Sequence, residues 1–259
     1  MKRLIITADD FGLTTAVNEA IERAHRDGVL TSASMMMAED AADDAVARAR
    51  RLPSLRVGLH ITVVDGRSMV TGKPLPGNLF AAGVAYFFFR RRELDREIRA
   101  QFAAFAKTGL PLDHVDAHHH MHTHPTVFST ILRVGRDYGM RTIRIPREPF
   151  LASWRASRDR FVSRLLWTIF LWPWLTMMRI RARRAGLTVN DAIFGMNDWQ
   201  AMTPDRVVRI IENLPAGTSE IYFHPRVSGD EQSAALASPR VRETLEQLGV
   251  ELLVRGNGA

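Results

Sequence analysis

A chain of 259 residues, 46% of them hydrophobic, has room for one large α/β domain with a sizeable core or for two small ones. It contains no cysteine, which excludes disulfides and thiolate chemistry and fits a reducing compartment. Its net charge of +7 is concentrated: Arg141 to Arg184 holds eleven arginines, no lysine, and only Glu148 and Asp159 as acids. The rest of the chain is slightly acidic, so an extended nucleic-acid surface is excluded.

In chain order, the start MKRLIITADDFG has too short an apolar run, ended by two carboxylates, for a signal peptide; a cytoplasmic chain is expected. RLIITA predicts a strand, and TTAVNEAIERAHRDG a helix capped by Thr14 or Thr15 and stopped by Gly28. VLTSASMMM predicts a strand, AEDAADDAVARARRL a helix and LRVGLHITVV a strand. A Gly- and Pro-rich loop is expected from about Asp65 to Gly83, followed by the helix RELDREIRAQFAAFAKTG. PLDHVDA predicts a strand that runs into HHHMHTHP. Pro125 then opens the helix PTVFSTILRVGRDYG. RTIRIP, DAIFG, SEIYFHP and VELLV predict further strands, with helices over TPDRVVRIIENLP and SPRVRETLEQLG. This alternation predicts one α/β domain over 1–259, a distorted (β/α) barrel of seven or eight mainly parallel strands. A basic, Trp-rich insertion is expected at about 150–187.

Polar residues at the C-terminal ends of barrel strands point at one common site. The first strand ends in Asp9 and Asp10, and the third carries His60. The fourth ends at Asp116 and His118, and the SEIYFHP strand at His224. Any one of these alone reads as structure: a helix cap, or a hydrogen-bonded histidine. Together they offer two imidazoles and a carboxylate, a common divalent-metal set with open positions. A second carboxylate and a further histidine remain for proton transfer. Six of the nine histidines lie between His114 and Pro125.

ITADDFGLTTAVNEAI, GVLTSAS, VGLHITVV, HVDAHHHMHTHP and IYFHPR resemble the YdjC/ChbG family of carbohydrate deacetylases, over nearly the whole chain. The chain looks most similar to a branch associated with hopanoid lipid biosynthesis. The resemblance implies a distorted barrel, one divalent metal ion (magnesium or zinc), and removal of acetyl groups from N-acetylated amino sugars, here on a glycosylated hopanoid. Soluble chitooligosaccharides are the alternative substrates. Carried over by motif, Asp10, His60 and His118 are the metal ligands, Asp9 the base and His224 the acid. His122 is the second choice for the third ligand, since it would share a helical face with His118 if the helix began early.

His120, Arg144 and Trp199 are expected to contact substrate or to orient other site groups; Arg144 could hold Asp9. His114, inside its strand, reads as structural. Glu220 and Tyr222 share a strand face with His224. A non-catalytic carbohydrate- or lipid-binding protein of the same fold would need no base and acid pair. A two-metal phosphoesterase would want more carboxylates.

The insertion carries Trp154, Trp167, Trp172 and Trp174, with arginines on both sides of the apolar run Leu165–Met178. That run is shorter than the roughly 20 residues that span a bilayer, and Pro173 is expected to interrupt it as a helix. Tryptophan and arginine around a short apolar core make up a segment that lies in a membrane interface. Trp167, Trp172 and Trp174 are therefore expected to contact the inner face of the membrane beside the site. A helical hairpin buried on the barrel is the alternative.

Overall fold

The computed structural model describes residues 1–198, 201–227 and 230–254. Its strands are β1 (Lys2–Phe11), β2 (Ser32–Met35), β3 (Arg56–Ile61), β4 (Val115–Ala117), β5 (Ala192–Phe194), β6 (Gly217–Phe223) and β7 (Glu251–Leu252). They pair in parallel in the order β4-β3-β2-β1-β6-β5, and β7 adds to the start of β1. Parallel neighbours need a crossover, and helices supply most of them. These are α1 (Thr15–Arg26), α2 (Ala42–Arg50), α3 (Leu79–Phe88), α4 (Arg91–Lys107), α5 (Pro125–Asp137), α6 (Phe150–Ser157), α7 (Phe161–Arg184), α8 (Pro204–Glu212), α9 (Glu231–Leu236) and α10 (Pro239–Gln247). One continuous apolar core unites the strands with the inner faces of the helices.

The sheet curls into a half-barrel, and irregular chain spans the gap between β4 and β5. RTIRIP was expected to be a strand but makes only isolated bridges, from Ile143 to Val115 and from Thr142 to Thr188. Beyond them the Asn190 side chain replaces the ladder: its Oδ1 accepts from the Ile145 N–H (2.8 Å), and its Nδ2 donates to the Ile145 carbonyl (3.0 Å). Among the described residues the strand count is therefore seven, and the expected barrel is distorted at this wall.

Two helices depart from the sequence reading. α3 lies partly in the expected loop; Asn78 caps it by accepting from the Ala81 N–H, and the Tyr86 hydroxyl anchors it to the Val63 carbonyl. α7 runs for 24 residues straight through Pro173, which was expected to break it. Proline removes one helical hydrogen bond, but protein contacts hold the helix on both sides of the gap. Arg164 reaches Asp198 at 2.6 Å, the Trp174 indole N–H donates to the Thr123 carbonyl (2.7 Å), and Arg179 donates to the Asn190 carbonyl (2.8 Å). By length and composition α7 could cross a membrane. These ties, spread along its length, instead lay it against the barrel.

Candidate active site

The site begins with a break in β1. Adjacent strand residues point to opposite faces, yet Asp9 and Asp10 line the same cleft. Asp10 has φ 65°, and the register against β2 shifts between Ala8 and Phe11, so the chain turns over there. Gly12 completes the turn at φ 104°, where a Cβ would meet the Met36 carbonyl oxygen at 2.7 Å. The buried Asn18 side chain accepts from the Gly12 N–H (2.7 Å) and donates to the Ala41 carbonyl and Asp44. This is why an Asn follows ADDFG one helical turn into α1.

Beneath the cleft, buried Arg144 joins three buried carboxylates. It grips both Asp9 oxygens at 2.8 and 2.9 Å, and meets Asp116 at 2.5 Å and Glu220 at 2.7 Å. The expectation that Arg144 holds Asp9 is thus met by a two-pronged ion pair. Asp116, noted in the sequence only as a strand end, also accepts from Ser34 and pairs with His60 Nδ1 at 2.7 Å. Burial works against its charge, but Arg144, His60 and His114 hold its carboxyl well below the usual range. Glu220 accepts from the Thr7 hydroxyl, in keeping with a barrel-interior residue.

Fixed by Asp116, His60 turns its Nε2 toward Asp10 Oδ1, 3.6 Å away; His118 Nδ1 approaches the same oxygen at 3.1 Å. Asp10 Oδ1 and His60 Nε2 are buried without a hydrogen-bond partner among the described residues. Burial opposes charge on His60, but Asp116, Asp9 and Asp10 outweigh it and lift its pKa to about 9. Burial likewise opposes charge on Asp10, while His118, His60 and His224 hold its pKa far down. One guanidinium and two imidazoles therefore face four carboxylates, a group short of positive charge.

Ligand atoms of Asp10, His60 and His118 lie within 4.8 Å of one another, as a metal site requires. Asp9, His60 and Asp116 meet the same distance limit, but Arg144 and the His60–Asp116 bond already fill the space between them. Asp65, His118 and His119 also converge, at an exposed edge. The orphaned buried atoms make the first set the one that fits a cation.

The remaining histidines fan out from a short 3₁₀ turn, His118–Thr123, in which His119 and His120 have φ of 51° and 52°. These left-handed residues abolish the helical relation that made His122 an alternative ligand. His122 points inward, with neither ring nitrogen hydrogen-bonded among the described residues, and burial pulls its pKa down to about 4. His119 pairs with Asp65 (3.1 Å), and His120 Nε2 bonds the Tyr222 hydroxyl (3.0 Å) on the cleft wall. His114 lies, as expected, in a structural place between Asp113 and Ser34. His224, just past β6, has its backbone N–H on Gln232 and its Nε2 4.0 Å from Asp9 Oδ2; burial pushes its pKa down.

Trp199 lies outside the described residues. Trp167 and Trp172 are exposed on α7, but Trp174 is a correction to the expected membrane set: its indole packs on the core and bonds Thr123.

A half-barrel of parallel strands with surrounding helices defines an α/β class, here with an Asp–His–His cluster at the strand ends that is consistent with a metal site. Within that class, the chain belongs to the YdjC-like protein family, whose profile matches residues 3–247. A carbohydrate deacetylase of Brevibacillus brevis is 35% identical over 169 residues, 61% of this chain and 64% of that protein. One from Vibrio campbellii is 40% identical over 145 residues, 52% of this chain and 56% of its own length. The chain thus spans less than two thirds of these relatives. A carbohydrate deacetylase of Geobacillus stearothermophilus is 29% identical over 266 residues, 96% of this chain and 95% of that protein. Among solved structures, one from Enterococcus faecalis V583, described as a cellobiose-phosphate cleavage protein, has TM-score 0.70 at 22% identity, with 97% of each chain covered. The polysaccharide deacetylase of Bacillus cereus has TM-score 0.50 at 12% identity, covering 100% of this chain and 95% of that one. At such identities the likeness is one of fold.

Proposed function

We propose that this chain is a metal-dependent N-deacetylase that hydrolyses the N-acetyl group of an N-acetylated amino sugar. The observation that carries the reading is the convergence of Asp10, His60 and His118, with Asp9 and His224 facing each other 4.0 Å apart beside it. A binding protein would need neither of the last two. A divalent cation on those three ligands, magnesium or zinc, would supply Lewis-acid polarisation of water and of the acetyl carbonyl; imidazole-rich sets favour zinc by ligand type.

The chain's own groups account for the protons. Asp9, its carboxylate fixed by Arg144, accepts the proton that water loses as its oxygen bonds the acetyl carbon. His224 gives a proton to the amide nitrogen as the C–N bond breaks, so that the sugar leaves as an amine with acetate as the other product. His120 and the Tyr222 hydroxyl stand on the cleft wall, where sugar hydroxyls can pair with them.

The acceptor we favour is a glycosylated hopanoid reached at the cytoplasmic face of the membrane. Support comes from two apolar surfaces near the site. On α7, Val162, Leu166, Ile169, Phe170, Met177 and Ile180 form an outward stripe opposite the inward stripe of Arg164, Leu171, Leu175, Met178 and Ala182. On α3 Phe80 is 83% exposed, and Phe89, just past its end, is 81% exposed, with Arg90, Arg91 and Arg92 directly after it. α3 packs by Phe87 near His124 and α7 by Trp174 on Thr123, so both flank the histidine turn. Arginines beside exposed aromatic residues suit an anionic lipid surface. Soluble chitooligosaccharides are the second reading, favoured by the many polar side chains among those that line the cleft. Acetate release from an N-acetylglucosaminyl lipid and from chitobiose, each with and without chelator, tests both. Release from neither rejects the deacetylase; release from chitobiose alone rejects the lipid acceptor.

A further inference from the structure

We propose that a groove along the inner flank of α7 is the binding site for an apolar group, an alkyl chain or fused ring, carried on the anomeric carbon of the sugar whose acetyl group is cleaved. For its sugar half the inference rests on the deacetylase reading above. The groove is about 280 Å³, near the lower end of ligand clefts. Leu171 and Leu175 form its floor, and Trp167 and Trp172 wall it on the solvent side. Met196, just after β5, lines this groove and the catalytic cleft alike, so the two cavities adjoin at that side chain.

The polar lining is largely committed inward. The Glu148 carboxylate accepts from the Ser153 hydroxyl and from the Asn197 N–H, and the Arg147 carbonyl accepts from the Ile193 N–H. The surface left for a ligand is therefore mainly aliphatic and aromatic, apart from the Arg147 side chain, the Asn197 amide that bonds Glu148, and the Thr168 hydroxyl. That hydroxyl is itself turned back onto the Arg164 carbonyl. A second sugar would find few free hydrogen-bonding groups here, whereas an apolar group would cover two half-exposed indoles and gain by leaving water.

The test compares methyl and octyl N-acetylglucosaminide, the octyl compound below its micellar concentration. Wild type should show a KM for the octyl glycoside at least about tenfold lower than for the methyl glycoside, given the methylenes removed from water. Thr168→Phe and Leu171→Trp, which fill the groove without touching the catalytic groups, should erase that difference and leave turnover of the methyl glycoside unchanged. Equal KM values in wild type, or variants that depress both substrates alike, would overturn the groove assignment while leaving the deacetylase intact. If neither glycoside releases acetate, the deacetylase reading fails, and tryptophan fluorescence decides the groove separately. Octyl glycoside should shift the emission of wild type and not of Thr168→Phe; no shift in wild type would overturn the assignment.

Discussion

Arg144 shows at the scale of one residue how the site is held. Removing it by Arg144→Ala leaves Asp9, Asp116 and Glu220 buried together without their counter-charge. A loss of about 3–5 kcal/mol in unfolding free energy is expected by chemical denaturation. Arg144→Lys should recover little, because an ammonium cannot grip both Asp9 oxygens at once. His60 makes a second prediction. Its folded pKa of about 9 lies above its unfolded 6.5. Its contribution to stability in the metal-free protein is therefore full below pH 6.5 and lost as pH rises through 9. At pH 7 the ring is protonated, so a bound cation must displace that proton. Calorimetry of zinc binding in buffers of differing protonation enthalpy should find about one proton released per ion, and none would contradict the arrangement. Asp9, Asp10, His60, His118 and His224 were legible in the sequence because each stands at or near the end of an apolar strand. Asp116 was noted on the same ground, but its role was not legible, since that depends on His60 and Arg144, distant in sequence. His122 misled, because spacing does not reveal that His119 and His120 turn left-handed between it and His118.

Among the elements, α7 and α3 carry the membrane reading. Sedimentation with anionic vesicles at low salt should pellet the wild type. It should pellet far less of a variant with Trp167, Trp172, Phe88 and Phe89 changed to Ser, all exposed positions whose loss spares the core. Equal pelleting would exclude these faces, and a concentration-dependent dimer without vesicle binding would assign them to a second copy of the chain. The tryptophans and arginines of α7 drew attention in the sequence; its continuity through Pro173 did not, because the supports are Asp198, Thr123 and Asn190, contributed by other elements. α3 stayed hidden for a different reason. LFAAGVAYFF is apolar at nearly every position, and only Ala82 and Tyr86, four apart, are buried. Such a helix shows no periodicity that would separate it from a loop.

For the whole molecule, the alternation of strands and helices was enough to reveal a barrel, but not how it closes. RTIRIP has the composition of a strand, yet its neighbour on one side is an asparagine side chain. Asn190→Ala should leave the Ile145 N–H and carbonyl without their partner inside the wall. A loss of about 1–3 kcal/mol is expected by thermal or denaturant unfolding. A loss within error would mean that the amide does not help close the barrel. On the proposed reading the whole fold serves to bring four strand ends to one cation site with a base and an acid beside it, and one paired measurement tests that most directly: bound metal and acetate release, side by side, for wild type, Asp9→Asn and Asp10→Ala. Wild type should bind one divalent ion and release acetate from an N-acetylglucosaminyl compound. Asp9→Asn should keep the ion and lose about 10²–10⁴ in rate, while Asp10→Ala should lose both together. An Asp10→Ala protein with wild-type metal content and undiminished acetate release would contradict the account.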